Sequence, residues 1–138
     1  MKPAYLIAGS DEAKIAETRR RLRARAESEG GQGALELFEA GDGRRSPDAD
    51  ALIASMAAIT LIAGRRYLLA DGVDAWGTGD TEKVADALAS IPDETTIVLV
   101  AHGKPPAKLG KAVEAAGGEQ LSYDAPRERE MPKRLVAD

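Results

Sequence analysis

The chain has 138 residues, 43% of them hydrophobic and only 4% aromatic, which suits one domain with an aliphatic core. Its net charge of −4 argues against a general nucleic-acid binder. Because it has no cysteine and a single histidine, disulfides and cysteine- or histidine-rich metal sites are excluded. No apolar run is long enough to cross a membrane and the N-terminus lacks a signal-peptide pattern, so we expect a cytoplasmic protein with no membrane partner.

The first half of the chain alternates strand-like and helix-like segments. They are a strand at 4–8, a helix at 11–29, a strand at 34–40 and a helix from 46–48 to about Ala57. In the first helix, Ile15, Leu22 and Ala26 recur at helical spacing and predict one buried stripe. In the second, Ser46-Pro47-Asp48 predicts a cap with the proline at the first helical position.

The second half continues this alternation. It contains a strand at 66–73, a helix at 77–91, a strand at 95–101, a helix at 105–117 and a short strand at 119–126. The segment 95–101 is apolar almost throughout and is therefore predicted to lie centrally in a sheet. Five strands that alternate with helices predict an α/β fold with a parallel sheet and helices on both faces.

The turn after the first strand lies where many α/β proteins bind a phosphate. A phosphate loop has the pattern GxxxxGK[ST], whose glycines, lysine and hydroxyl all contact the nucleotide or its metal. Here Gly9 is present, but the second glycine is missing and Lys14 is followed by Ile15. Asp11 and Glu12 favour a helix N-terminus and disfavour a triphosphate beside it. The residues therefore predict a capped strand–helix turn rather than a nucleotide site.

Other polar residues at predicted strand ends give weaker signals. Asp71 follows the third strand, where it is predicted to act as a cap rather than as an acid of a magnesium site. The stretch after the central strand carries His102, Lys104, Lys108 and Lys111. A ligand could meet that edge of the sheet, but a solvated basic surface is the favoured interpretation. No set of nucleophile, base and orienting residue is apparent, so the residues predict no catalysis.

The segment between the second helix and the third strand is unusually apolar. It carries Ile59, Leu61 and Ile62, whereas a connecting loop is normally polar. These side chains either fill the core or project outward as an anchor in a partner's pocket. The residues alone favour core packing.

Four stretches in succession resemble one known family. They are YLIAGSDEAKIAE (5–17), MAAITLIAGRRYLLADGVD (56–74), TTIVLVAHGK with KLGKAVEAAGG (95–104 and 108–118), and YDAPRERE with MPKRL (123–135). Together they resemble the N-terminal domain of the delta subunit of bacterial DNA polymerase III, a subunit of the clamp loader. The resemblance covers essentially the whole chain.

The resemblance implies a RecA-like, P-loop-NTPase-like fold whose nucleotide site is degenerate, with no ATP or other cofactor and no catalysis by this domain itself. It also implies that Ile59, Leu61 and Ile62 contact a pocket on the β sliding clamp and help to load or open that ring. This implication reverses the preference for core packing and makes an outward anchor the expectation for at least Leu61 and Ile62.

The resemblance further implies an organisation into two parts. Residues 1–125 would form the clamp-binding domain, and residues 126–138 would begin a linker or a second, lid-like domain of a longer protein. That further part would contact other clamp-loader subunits, and DNA would be met only indirectly within the complex.

Two alternatives remain open on the sequence. One is a small nucleotide-binding α/β domain or NTPase with an atypical phosphate loop. The other is a receiver-like signalling domain, for which Asp11, Glu12, Asp71 and Lys104 supply a partial set of residues.

Overall fold

Strands and helices alternate along the residues that the computed structural model describes, which are 2–30, 35–41, 45–58 and 65–124. The strands are β1 (Ala4–Ala8), β2 (Leu35–Glu39), β3 (Arg66–Asp71), β4 (Thr95–Ala101) and β5 (Glu119–Ser122). The helices are α1 (Glu12–Gly30), α2 (Ala49–Ala57), α3 (Thr78–Ala87) and α4 (Ala107–Ala115). Short 3-10 turns at Val73–Ala75 and Leu88–Ser90 flank α3.

The five strands form one parallel sheet in the order β2-β3-β4-β1-β5. All seven residues of β4 are buried, and this strand occupies the middle position, as its apolar sequence predicts. The edge strands β2 and β5 are only partly buried, since each has a single neighbour. The predicted fold class, a parallel α/β sheet flanked by helices, is confirmed.

Alternate residues of each strand face opposite layers of helices. Leu52 of α2, Val84 of α3 and Leu109 of α4 belong to one buried cluster with Leu68 and Leu99 of the sheet. The second cluster joins Ile15 of α1 to β1, β3 and β4 on the other face. Of the helices that the structure describes, three therefore cover one face of the sheet and α1 packs on the other.

The helices begin where the sequence predicts their N-terminal caps, with one exception. Asp11 precedes α1 and its carboxylate accepts a hydrogen bond from the Lys14 amide at 3.1 Å, so it caps the helix as predicted. Asp48 is the N-cap of α2 and accepts from the Ala51 amide at 3.0 Å. The prediction that Pro47 occupies the first helical position is wrong. Pro47 precedes the cap, and its carbonyl accepts a bond from the buried indole of Trp76 at 2.7 Å.

Several predictions fall on residues outside those described. Ile59, Leu61 and Ile62 lie in the segment 59–64, and the predicted boundary between residues 1–125 and 126–138 lies beyond Asp124. Among the described helices, none combines the length and the apolar character that a membrane crossing requires.

Candidate functional site

The turn between β1 and α1 is closed by the chain that follows β5. The Tyr123 amide donates to the Ala8 carbonyl at 2.8 Å, and the Asp11 amide donates back to the Tyr123 carbonyl at 2.9 Å. The Ser10 amide donates to the carboxylate of Asp124 at 3.3 Å. A phosphate loop leaves such amides pointing at the ligand. Here at least two of them are bonded to the protein itself.

Gly9 is the residue that allows this closure. Its φ angle is +137°, and a Cβ placed on it would lie 2.0 Å from the Tyr123 carbonyl oxygen. Only glycine accommodates both the conformation and the close approach. Gly9 therefore serves the packing of one backbone segment against another.

Beside this closed turn lies a cleft of about 490 Å³. It is lined mainly by the ends of β1, β4 and β5, including Gly9, Gly103, Ser122 and the charged pair Lys104 and Asp124. Neighbouring strands β1 and β4 send their helices to opposite faces of the sheet, so the cleft occupies the position where open α/β sheets usually bind ligands. Its charges are mixed, which does not favour a polyanion.

A cluster of charged side chains joins β3, β4 and α1 at the same edge of the sheet. His102 follows β4, and its Nδ1 lies 2.8 Å from the Glu12 carboxylate, while its Nε2 contacts the carboxylate of Asp71. Arg19 of α1 contacts the other oxygen of Asp71. The backbone amide of His102 donates to Asp74 at 3.1 Å. Both nitrogens of the imidazole therefore face carboxylates.

This arrangement favours the cationic form of His102. The hydrogen bond with Glu12 raises the pKa of His102 above its usual value, burial opposes the shift, and Asp71 adds to it. A protonated imidazole donates to both carboxylates at once, so it links α1 to β3 across the end of β4. The described residues contain no group of three or more histidine, cysteine or acidic residues arranged to hold a metal ion.

The sequence-based interpretation of these residues was incomplete. The sequence predicts a strand-end cap at Asp71 and a solvated basic turn at His102, yet these residues contact each other across 31 positions of sequence. Lys108 is exposed and lies 3.5 Å from Glu82, and Lys111 is also exposed. The only sequence signal for the cluster was that Asp71 and His102 each follow a strand, because strand ends meet only once the strand order is known.

The two ends of the segment 59–64 lie at the amino ends of the strands, on the opposite side of the sheet from the His102 cluster. Arg66 starts β3 and is only 7% exposed. Its guanidinium donates to the Glu36 carboxylate at 2.7 Å, to Ser55 Oγ at 3.1 Å and to the Ala58 carbonyl at 3.3 Å. The last bond connects the two ends of the segment. The predicted anchor residues lie between them, outside the described residues.

Glu36 belongs to this network, and the network shifts the pKa of its carboxyl group. Burial raises the pKa of Glu36, but hydrogen bonds from Ser55 and Arg66 outweigh burial and leave the pKa below its usual value. Glu36 is therefore ionised at neutral pH. Nothing in the sequence marks Arg66 as a buried cation, because the adjacent Arg65 has the same side chain and instead donates to Thr96 at 3.1 Å.

The fold is similar to those of two solved proteins. The DNA clamp loader delta protein of Bacillus subtilis matches with a TM-score of 0.68 and 17% identity, covering 99% of this chain and 42% of that one. A DNA polymerase III gamma subunit-related protein from Thermotoga maritima matches with a TM-score of 0.64 and 15% identity, covering 92% of this chain and 43% of that one. The chain thus spans less than half the length of either protein. No protein-family model matches it, and no curated protein matches it significantly in sequence.

Proposed function

We propose that this chain is an ATP-inert clamp-loader domain that binds a β sliding clamp, as the delta subunit of bacterial DNA polymerase III does. The observation that carries the proposal is the fold shared over 99% of the chain with a clamp loader delta protein. The closed turn after β1 supports the same role, since a domain that binds a clamp without nucleotide does not need a phosphate cradle.

The clamp contact is assigned to Ile59, Leu61 and Ile62. The flanking residues support this assignment, because Arg66 and Ala58 hold the two ends of the segment together at the edge opposite the closed turn. Three large aliphatic side chains within four residues suit this role, because a few buried anchors carry most of the binding energy of an interface. Contacts with other clamp-loader subunits, an indirect contact with DNA and a cytoplasmic location belong to the same proposal.

The nucleotide-binding alternative has one supporting feature, the cleft beside the turn. Two observations weigh against it. The amides of Ser10 and Asp11 are already hydrogen-bonded within the protein, and Asp124 adds a negative charge beside them. The receiver-like alternative is disfavoured by the strand order, since such domains have the order 2-1-3-4-5, which differs from the order found here. In addition, Asp71 is engaged by Arg19 and His102.

The proposal is tested by calorimetric titration of the 138-residue chain with the sliding clamp of the same organism. We expect saturable binding for the unaltered chain. Replacing both Leu61→Asp and Ile62→Asp should weaken it at least about tenfold, because each change removes an apolar contact and places a carboxylate against an apolar pocket.

The matched control adds the same two charges elsewhere. Ala13 in the first turn of α1 and Ala107 in the first turn of α4 are exposed and lie near the carboxyl ends of β1 and β4, so Ala13→Asp with Ala107→Asp should leave clamp binding unchanged. Circular dichroism establishes that both double variants fold. Clamp binding of unchanged strength by the folded Leu61→Asp and Ile62→Asp variant would rule out the anchor, and absence of binding by the unaltered chain would rule out the proposed role.

A further inference from the structure

Among the described residues, the face of the sheet covered by α1 is partly open at its β2 edge. The cluster beneath α1 consists of buried residues from β1, β3 and β4, such as Ile7, Leu69 and Val98. β2 lies beyond it at the edge of the sheet. Leu37 of β2 is 40% exposed and is the only large hydrophobic side chain in the described part of the chain with that degree of exposure.

A groove of about 230 Å³ lies between α1 and β2. Its floor is apolar and consists of Leu35, Leu37 and Leu69. Leu35 and Leu37 lie on the same side of β2 because side chains alternate along a strand, and Leu37 is next to Leu69 in register. Its wall is the stripe of α1 that includes Ala16, Arg19, Arg20 and Arg23.

The lining of this groove is cationic, although the chain carries a net charge of −4. It includes three arginines and no acidic residue. Arg19 is engaged by Asp71, and Arg23 lies 3.9 Å from Glu27 on the same helix. Arg20 is exposed and makes no hydrogen bond or ion pair with the described residues. At least one guanidinium is therefore available to a partner.

The outer edge of β2 has no strand partner in the part of the chain that the structure describes. Within the described residues β2 pairs only with β3, so its other side presents backbone donors and acceptors. An extended peptide that lies along such an edge directs alternate side chains toward one face of the sheet. On the α1 face, those side chains would meet the leucine floor and the arginine wall.

We infer that this groove binds an extended acidic peptide that carries a large apolar side chain. The apolar side chain packs on Leu35, Leu37 and Leu69, and flanking carboxylates pair with Arg20 and Arg23. The groove is smaller than the roughly 300–1,000 Å³ of a small-molecule site, so it suits one side chain of a longer ligand. A nucleic acid would match the arginines but would leave the leucine floor without a partner.

The probe is a fluorescein-labelled ten-residue peptide with a central Leu-Phe pair flanked on both sides by Glu and Asp. Its anisotropy is titrated with the 138-residue chain at low ionic strength. We expect saturable binding that weakens as sodium chloride is added, because exposed charge pairs are screened. A peptide with Ser-Ser in place of Leu-Phe should bind at least tenfold more weakly.

Two double charge reversals on α1 locate the site. Arg20→Glu with Arg23→Glu reverses two groove residues and should weaken binding at least tenfold. Lys14→Glu with Arg21→Glu makes the same charge change at exposed positions that do not line the groove, and it should alter binding less than threefold. If the first variant fails to fold, the comparison between the Leu-Phe and Ser-Ser peptides on the unaltered chain still tests the inference.

Four results would overturn the inference. They are absence of saturable binding, equal binding of the Leu-Phe and Ser-Ser peptides, equal loss in both reversal variants, and displacement of the peptide by an equal concentration of single-stranded oligothymidylate. Sedimentation equilibrium covers a further possibility, since a dimer that dissociates on Leu37→Gln would show that a second copy of the chain occupies the groove. The peptide experiment is independent of residues 59–62, so its failure leaves the clamp proposal intact.

Discussion

At the scale of single residues, His102 is the most informative side chain. Its ring lies between Glu12 of α1 and Asp71 of β3, and its side chain is 35% exposed. A neutral imidazole has one donor and one acceptor nitrogen, so it cannot donate to both carboxylates. Hydrogen bonds from both ring nitrogens to the two carboxylates therefore require the protonated form of His102.

The pH dependence of stability follows from this link. The folded state raises the pKa of His102 above its unfolded value of about 6.5, so folding favours the protonated form. Its contribution to stability is complete below about pH 6.5 and is lost as the pH rises through the raised pKa. We expect the free energy of unfolding, measured by urea denaturation, to fall as the pH rises above about 6.5.

His102→Gln provides the control for this prediction. Because the chain has no other histidine, the variant should lose most of the pH dependence in this range. Proton NMR of the imidazole can measure its pKa directly. Identical stability profiles for the unaltered chain and the variant would contradict the expected role of His102.

Sequence reasoning finds such a residue only when its partner is nearby in the chain. The caps at Asp11 and Asp48 were predictable because donor and acceptor are three residues apart. The contact between His102 and Glu12 spans 90 residues and depends on β4 lying next to β1. Without the strand order, no local pattern distinguishes His102 from a solvated side chain.

At the scale of elements, β5 does more than add an edge strand. The residues that follow it continue past Ser122 and bond to the β1–α1 turn through Tyr123 and Asp124. The backbone there approaches Gly9 so closely that any side chain at that position would overlap it. The end of β5 and the start of α1 are thus one packed unit.

A comparison of two glycines with nearly equal φ angles distinguishes the effect of this packing on stability from the effect of the backbone conformation. Gly9 has φ +137° and Gly103 has φ +139°, but a Cβ on Gly103 would meet no atom within 4 Å. Gly103→Ala should destabilise the fold by about 1–3 kcal/mol through backbone strain alone. Gly9→Ala should cost at least about 2 kcal/mol more, because the Tyr123 backbone must move.

Urea denaturation of the two alanine variants measures both values. Equal losses of stability would show that the contact with Tyr123 is not tight in solution. A larger loss in Gly103→Ala would contradict the assigned role of Gly9 altogether.

Element boundaries show where sequence reasoning succeeds and where it stops. The strand at 95–101 was predicted with the bounds observed, because every residue in it is buried and the pattern is continuous. The sequence pattern predicts that the third strand continues to 73, but the strand ends at Asp71, since Val73 already belongs to a 3-10 turn and is buried through that turn. Pro47 was misplaced because its position depends on the distant indole of Trp76.

At the scale of the whole molecule, the parallel sheet separates two sites. The closed turn, the cleft and the His102 cluster lie at the carboxyl ends of the strands. The Arg66 network and the ends of the segment 59–64 lie at the amino ends. The alternation of strands and helices predicts the parallel sheet, but not which residues meet at each edge.

The closed turn leads to a prediction for the molecule as a whole. A ligand present at one hundred times its dissociation constant stabilises a fold by about 2.7 kcal/mol. We expect millimolar Mg-ATP to leave the thermal unfolding midpoint unchanged, because amides of the turn are already bonded to Tyr123 and Asp124.

Magnesium sulfate at equal ionic strength is the control for general salt effects. A midpoint that rises with Mg-ATP concentration and saturates would favour the nucleotide-binding alternative. Such a result would also require the residues after β5 to rearrange.

For the proposed clamp contact, the bond from Arg66 to the Ala58 carbonyl would have a thermodynamic consequence. Residues 59–65 connect two points whose separation this bond fixes. In general, a chain with tethered ends samples fewer conformations than one with free ends, so less conformational entropy would be lost in the proposed docking. Arg66 would in this way contribute to affinity through preorganisation, from a buried position that no partner needs to touch.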